Sequence, residues 1–178
     1  MSAAGRTPAA AVRGLLDQLG RALSCVTDQV VRVEPGGYRP GGTHGAALGG
    51  GEPVALAGVL PLGLVVRLRY ALVPASGSDA GWEVARRAYE YLLLDGAGAE
   101  LLAFHWQPGG RGPGFPHLHV GGAALRPGSP LAGVHLPPRT PVRLEEVLAL
   151  AIAELGVRPR RSDWRDVLDA PGPPGESA

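Results

Sequence analysis

The stretch WEVARRAYEYLLLDGAGAELLAFHWQ, residues 82–107, decides the fold. From Trp82 to Leu94 the side chains alternate in nature. Arg87, Tyr89, Tyr91 and Leu93 fall on one side, and Arg86, Ala88, Glu90 and Leu92 on the other. Asp95-Gly96-Ala97-Gly98 is a strong turn signal. The chain then returns from Leu101 to Gln107. Leu102, Phe104 and Trp106 share one face; Leu101, Ala103, His105 and Gln107 share the other. Two alternating runs joined by a tight turn predict a β-hairpin.

Upstream, Leu64, Val66, Leu68, Tyr70 and Leu72 alternate with Val65, Arg67, Arg69 and Ala71. This is a half-buried strand with a partly basic outer face. Downstream, His117 to Gly121 predicts a short fourth strand and Gly133 to Leu136 a fifth. Gln29 to Glu34 is a further short candidate. Thr7-Pro8 has the chemistry of a helix start, and Val12, Leu15, Leu16, Leu19, Leu23 and Val26 follow at helical spacing. Thr140-Pro141 repeats that signal before Leu144, Val147, Leu148, Ile152 and Leu155, and Gly156 stands where a helix stops. Ser162 precedes a last short helix. Strands in one block between helices predict an α+β fold: a single antiparallel meander of about four to six strands, packed by an N-terminal and a C-terminal helix. One domain is expected over residues 1–170, with a mobile Gly-rich loop at 36–52 and a disordered tail at 171–178.

The chain has 178 residues and a net charge of +1, so no global field draws it to nucleic acid or anionic lipid. All 17 basic residues are arginine, alongside 28 Gly and 18 Pro, so arginine alone is no sign of anion recognition here. The single cysteine, Cys25, excludes an intrachain disulfide and a cysteine-based zinc site. The N-terminus lacks a signal-peptide pattern, and no apolar run approaches 18 residues. A soluble cytoplasmic protein with no membrane partner and no cofactor is the expectation. The eight glycines of residues 36–52 lack the Gly-Lys-Ser/Thr of a phosphate loop.

The chemistry gathers at the end of the hairpin. Three of the five histidines are His105, His117 and His119. Strand alternation aims His117 and His119 to one side, and His105 on the preceding strand reaches the same side. Three uses compete. A metal site needs converging donors, with His105 or His135 as the third, but no Asp or Glu lies between Glu100 and Glu145. Alternatively, imidazoles act as general acid and base on a phosphodiester, with Arg69, Arg86 or Arg111 holding charge and Gln107 nearby. Or the histidines bond backbone groups and pack beside Phe104, Trp106 and Phe115. A functional pair would be reached from a cleft bordered by residues 108–114.

Tyr89-Glu90-Tyr91, the Phe115-Pro116-His117-Leu118-His119 element and the helix Leu144-Glu145-Glu146-Val147-Leu148 together resemble the TumE-type toxins of bacterial toxin–antitoxin modules. The match covers roughly residues 64–155. It departs from the family in the strand before the Pro-His element, which carries no acid here, and in Leu118, which stands inside the histidine run. The resemblance implies action on RNA or nucleotides, with His105, His117 and His119 as catalytic groups. Arg69, Arg86, Gln107 and Arg111 would be substrate-binding, and a cognate antitoxin-like protein the partner. The rival class is a non-catalytic interaction module with structural histidines.

Overall fold

Pro8–Leu23 forms α1, and the Thr7 hydroxyl accepts the Ala10 N–H at 3.1 Å as its N-cap. The computed structural model describes residues 4–76, 81–109, 113–138 and 140–170. Among these, eight strands form one antiparallel sheet: β1 Ala4–Gly5, β2 Val31–Val33, β3 His44–Leu48, β4 Val54–Leu56, β5 Leu62–Pro74, β6 Trp82–Leu94, β7 Glu100–Trp106 and β8 His117–Val120. Their order is β2-β3-β5-β6-β7-β8, with β1 added to β6 and β4 to β5. Two further helices follow, α2 Leu144–Ala153 and α3 Trp164–Asp169. This is the expected α+β architecture with one antiparallel sheet.

Helices α1 and α2 share one face of the sheet. Leu15, Leu19, Leu23, Val147 and Leu148 pack in one core with Leu64, Val66, Leu68, Tyr89, Tyr91, Leu93 and Phe104. Burying such side chains contributes about 1.5–3 kcal/mol each, which makes this face the main source of stability. Two of the tyrosine hydroxyls carried into the core find backbone partners, while that of Tyr91 has none among the described residues. Tyr70 donates to the Gly37 carbonyl at 2.7 Å, and Tyr89 accepts the Val142 N–H at 3.1 Å. The second bond explains why α2 begins three residues past Pro141. There the Glu146 carboxylate accepts the Arg143 N–H at 2.7 Å and closes the first turn.

Two expectations are corrected. The stretch 36–52 is not all loop, since His44–Leu48 is β3, paired on both sides by β2 and β5. Pairing overrides the low strand propensity of its glycine and alanines. Residues 133–136 make only a single bridge, Leu136 to Leu118, instead of a strand. The 171–178 tail lies outside the described residues.

The register contains two bulges. Arg69 pairs with Ala88 but Tyr70 with Arg86, so Arg87 is the extra residue of β6. Leu93 pairs with Leu102 but Leu94 with Glu100, so Leu101 is the extra residue of β7. Each bulge moves the residues beyond it to the opposite face from simple alternation.

The core assigns the second long helix a structural role, because Leu148 is fully buried at 0% exposure. Leu148→Ala should cost about 2–5 kcal/mol in chemical denaturation. An unchanged midpoint would place α2 outside the cooperative core.

Candidate functional site

The sheet face away from the helices carries an unbroken row of directly opposed residues. Arg32 on β2 faces Ala47 on β3, which faces Arg67 on β5, then Glu90 on β6, His105 on β7 and His117 on β8. Antiparallel pairing puts opposed side chains on the same face, so the row is a polar stripe across six strands. His119 lies opposite Ala103, whose methyl leaves room for the imidazole to lean toward His105.

Four imidazoles pack together at the end of this stripe. Ring centroids of His105 and His117 are 4.4 Å apart, and those of His105 and His119 4.8 Å. His135 joins them from the returning segment, 4.8 Å from His117 and 5.7 Å from His119. It is held there because Leu136 and Leu118 exchange two backbone hydrogen bonds, at 2.8 and 2.9 Å. That fixes Leu136 on the core side and its neighbour His135 on the histidine side.

Hydrogen bonds fix two of the rings. His117 Nδ1 lies 2.9 Å from the Phe115 carbonyl, which can only accept, so Nδ1 carries the proton. His119 Nδ1 lies 3.0 Å from Glu100 Oε1, in an imidazole–carboxylate pair. Glu100 is the acid that strand alternation hides. It is five residues from His105, an odd spacing that puts it on the other face until the bulge at Leu101 returns it. Gly121 makes the arrangement possible. A Cβ there would collide with the Glu100 carbonyl, and the Gly121 N–H donates to Leu101 O at 2.8 Å.

Burial is uneven across the group. His117 is enclosed at 4% exposure, which corrects the expectation that it is reached from a cleft; His135 has come to lie against it. His119 is half-buried and His135 exposed. His105 is half-buried, with Nε2 enclosed and without a hydrogen-bond partner among the described residues. Its pKa is lowered to about 4, first by loss of hydration and then by the neighbouring His117 and His119, with Glu90 opposing.

The other candidates separate. Arg69 lies on the helix-free face, its side chain 56% exposed and 3.9 Å from Glu34. Gln107 is exposed just past the end of β7. Arg86 is not with the histidines. The β6 bulge turns it to the helix side opposite Tyr70, where its guanidinium lies 5.5 Å from the Tyr89 ring centre. Arg111 lies outside the described residues. Sequence reasoning passed over Arg32, Glu90 and Glu100 as site groups, and weighed Arg67 only beside Arg69 and Arg86 as a basic sheet face that could contact nucleic-acid phosphates. Arg67 bonds Glu90 at 2.7 Å and the Gly51 carbonyl at 2.8 Å.

His117 and His119 have their Nδ1 atoms engaged, which leaves Nε2 as the nitrogen for other chemistry. The side chains do not converge on an ion as they stand. Among the described residues, no three His, Cys, Asp or Glu form a group that could hold a metal. The arrangement instead suits proton transfer: a half-buried imidazole oriented by a carboxylate, an exposed imidazole beside it, and a neutral one behind.

No family model, curated protein or solved structure matches this chain. Among the described residues, no helix is long and apolar enough to cross a membrane.

His105 ties the cluster to stability. Between about pH 6.5 and 4 the unfolded chain binds a proton that folded His105 refuses, so stability falls as pH falls through this window. At about 1.4 kcal/mol per pH unit, and with roughly half of the shift lost to solvent screening at a part-buried ring, the effect is on the order of 1–2 kcal/mol. Denaturation at pH 7 and pH 4 should show wild type losing stability relative to His105→Gln by this order. Parallel pH profiles for the two proteins would contradict the assignment.

Proposed function

We propose that this protein acts on RNA or nucleotides as a phosphodiester-cleaving, toxin-like enzyme whose reaction centre is the histidine group on the helix-free face. The observation that carries the reading is the stripe joining Arg32 and Arg67 to His105 and His117 across one sheet surface. It joins groups that can bind phosphate to the histidine group, whose half-buried His119 and exposed His135 supply the proton-moving imidazoles.

His119 is the general base in this reading. Glu100 holds its Nδ1–H and stabilises the imidazolium formed when Nε2 removes the proton from an attacking 2′-hydroxyl. The freed oxygen attacks phosphorus and the bond to the 5′-oxygen breaks. His135, whose ring centre is 5.7 Å from that of His119, returns a proton to the departing oxygen. His105 stays neutral and buried behind them. Its enclosed, unpaired Nε2 accepts a hydrogen bond from His119 as that ring charges. His117 is a positioning residue, locked by Phe115 and packed against both His105 and His135.

The test compares a single-stranded RNA with the same sequence in DNA. RNA should be cut to a cyclic phosphate end and DNA left intact, because the mechanism needs the 2′-hydroxyl. His119→Ala should retain the wild-type circular dichroism spectrum and lose about 10²- to 10⁴-fold in rate, the usual range for a positioned acid–base group. Undiminished cleavage by a folded His119→Ala protein, or DNA cut as fast as RNA, sinks the mechanism.

A further inference from the structure

The arginine end of the stripe is a trough. Its floor is β3, which presents only Gly45 and Ala47 to this face. One wall is β2, with Arg32 opposite Ala47; the other is β5, with Arg67 opposite Ala47 and Arg69 opposite Gly45. Together with the Gly50-Gly51 turn these residues line a concavity of about 380 Å³. Larger side chains on β3 would fill it.

The trough already accommodates an anion of the chain's own. The Glu34 carboxylate accepts the Gly45 N–H at 2.9 Å and lies 3.9 Å from Arg69 Nη1. A Cβ on Gly45 would collide with that carboxylate. Arg67 is braced by Glu90 and the Gly51 carbonyl and serves as a fixed wall. Arg32 and Arg69 are exposed and can reorient toward a ligand. The site therefore has an anion-accepting backbone N–H and two adaptable guanidiniums over a floor with almost no side chain, features that suit a phosphate.

Its distance from the histidines sets the size of the ligand. Adjacent strands are about 4.8 Å apart, so Arg67 on β5 is three strand spacings, about 14 Å, from β8; the trough floor on β3 is four, about 19 Å. A stacked single strand advances about 3.4 Å per phosphate, so this span covers roughly four to six phosphates. We infer that the trough between β2 and β5 is a remote phosphate subsite, and that the substrate is an oligonucleotide strand long enough to reach from the histidines to it. This rests on the proposed reaction centre and adds the substrate's length and path.

The experiment uses single-stranded RNA oligomers of two to twelve nucleotides with the full chain. It reads kcat/KM, and in parallel the affinity of the same oligomers by fluorescence anisotropy, which needs no turnover. For wild type both should rise with length and level off at roughly six nucleotides. In the Arg32→Ala, Arg69→Ala double variant the ratio of long-oligomer to dinucleotide kcat/KM should fall at least tenfold, because a dinucleotide does not reach the trough. The salt dependence of long-oligomer binding should lose about one to two units of slope. Glu34→Gln should strengthen long-oligomer binding by removing the competing carboxylate. Arg13→Ala, on the exposed side of α1, is the control and should change nothing.

Length-independent affinity overturns the subsite. So does a double variant that weakens short and long oligomers equally. If no oligomer is cleaved but binding keeps its length dependence and its sensitivity to Arg32 and Arg69, the reaction centre fails and the trough stands. If cleavage requires His119 yet ignores both length and the double variant, the reverse holds.

Discussion

The structure depends on the antiparallel register of β5, β6 and β7. These strands supply the sheet surface under both helices, and the same pairing fixes what the other surface presents. A one-residue slip would move Tyr89, Tyr91 and Leu93 out of the core and drive Arg67, Glu90 and His105 into it. The core thus enforces the polar stripe. Because Leu64, Val66 and Leu68 are buried against the helices, Val65, Arg67 and Arg69 must turn the other way. The positions of the proposed site groups are a by-product of hydrophobic burial on the opposite face.

The histidine group is costlier to maintain. Four imidazoles lie in contact, and one of them is enclosed. The fold meets this with hydrogen-bond partners for Nδ1 of His117 and His119, and by holding His105 neutral. Closure then falls to small contacts. Gly121 allows the end of β8 to approach Glu100, and the bridge from Leu136 to Leu118 carries His135 over His117. Between β8 and α2 the described residues form only the short 3-10 turn Gly122–Ala124 and this one bridge, so its two hydrogen bonds hold the fourth imidazole in place.

Alternation made the meander and the shared direction of His105, His117 and His119 legible from sequence, and helical spacing did so for both long helices. Two of the features that were not legible trace to bulges. The extra residue in β6 is Arg87 beside Arg86, and the extra residue in β7 is Leu101 beside Leu102. Where two like neighbours adjoin, a period-two pattern cannot show which one is inserted. The face assigned to Arg86 was therefore reversed, and Glu100 was not recognised as the carboxylate beside His119. β3 was missed for a different reason. Its Gly-Ala-Ala centre carries no strand propensity, and it is a strand because β2 and β5 each need a partner. His135 was recognised as a possible donor, but its approach depends on a single bridge across a long loop, which spacing cannot convey.

Glu90 lets the two ends of the stripe coexist. It sits between Arg67 and His105 in the row and is bonded to the guanidinium at 2.7 Å. Two strand spacings separate Arg67 from His105, about 10 Å. An uncompensated positive charge at that distance is worth about 0.4 kcal/mol in water and roughly 1.7 kcal/mol at an effective dielectric of 20. Pairing with Glu90 removes most of that field. His105 then takes its low pKa first from burial and then from the imidazoles beside it, with Glu90 acting in the opposite direction. An anion arriving over the arginines therefore changes the field at the histidines little. In the proposed reading, binding at one end of the face and proton transfer at the other are separable because one carboxylate stands between them.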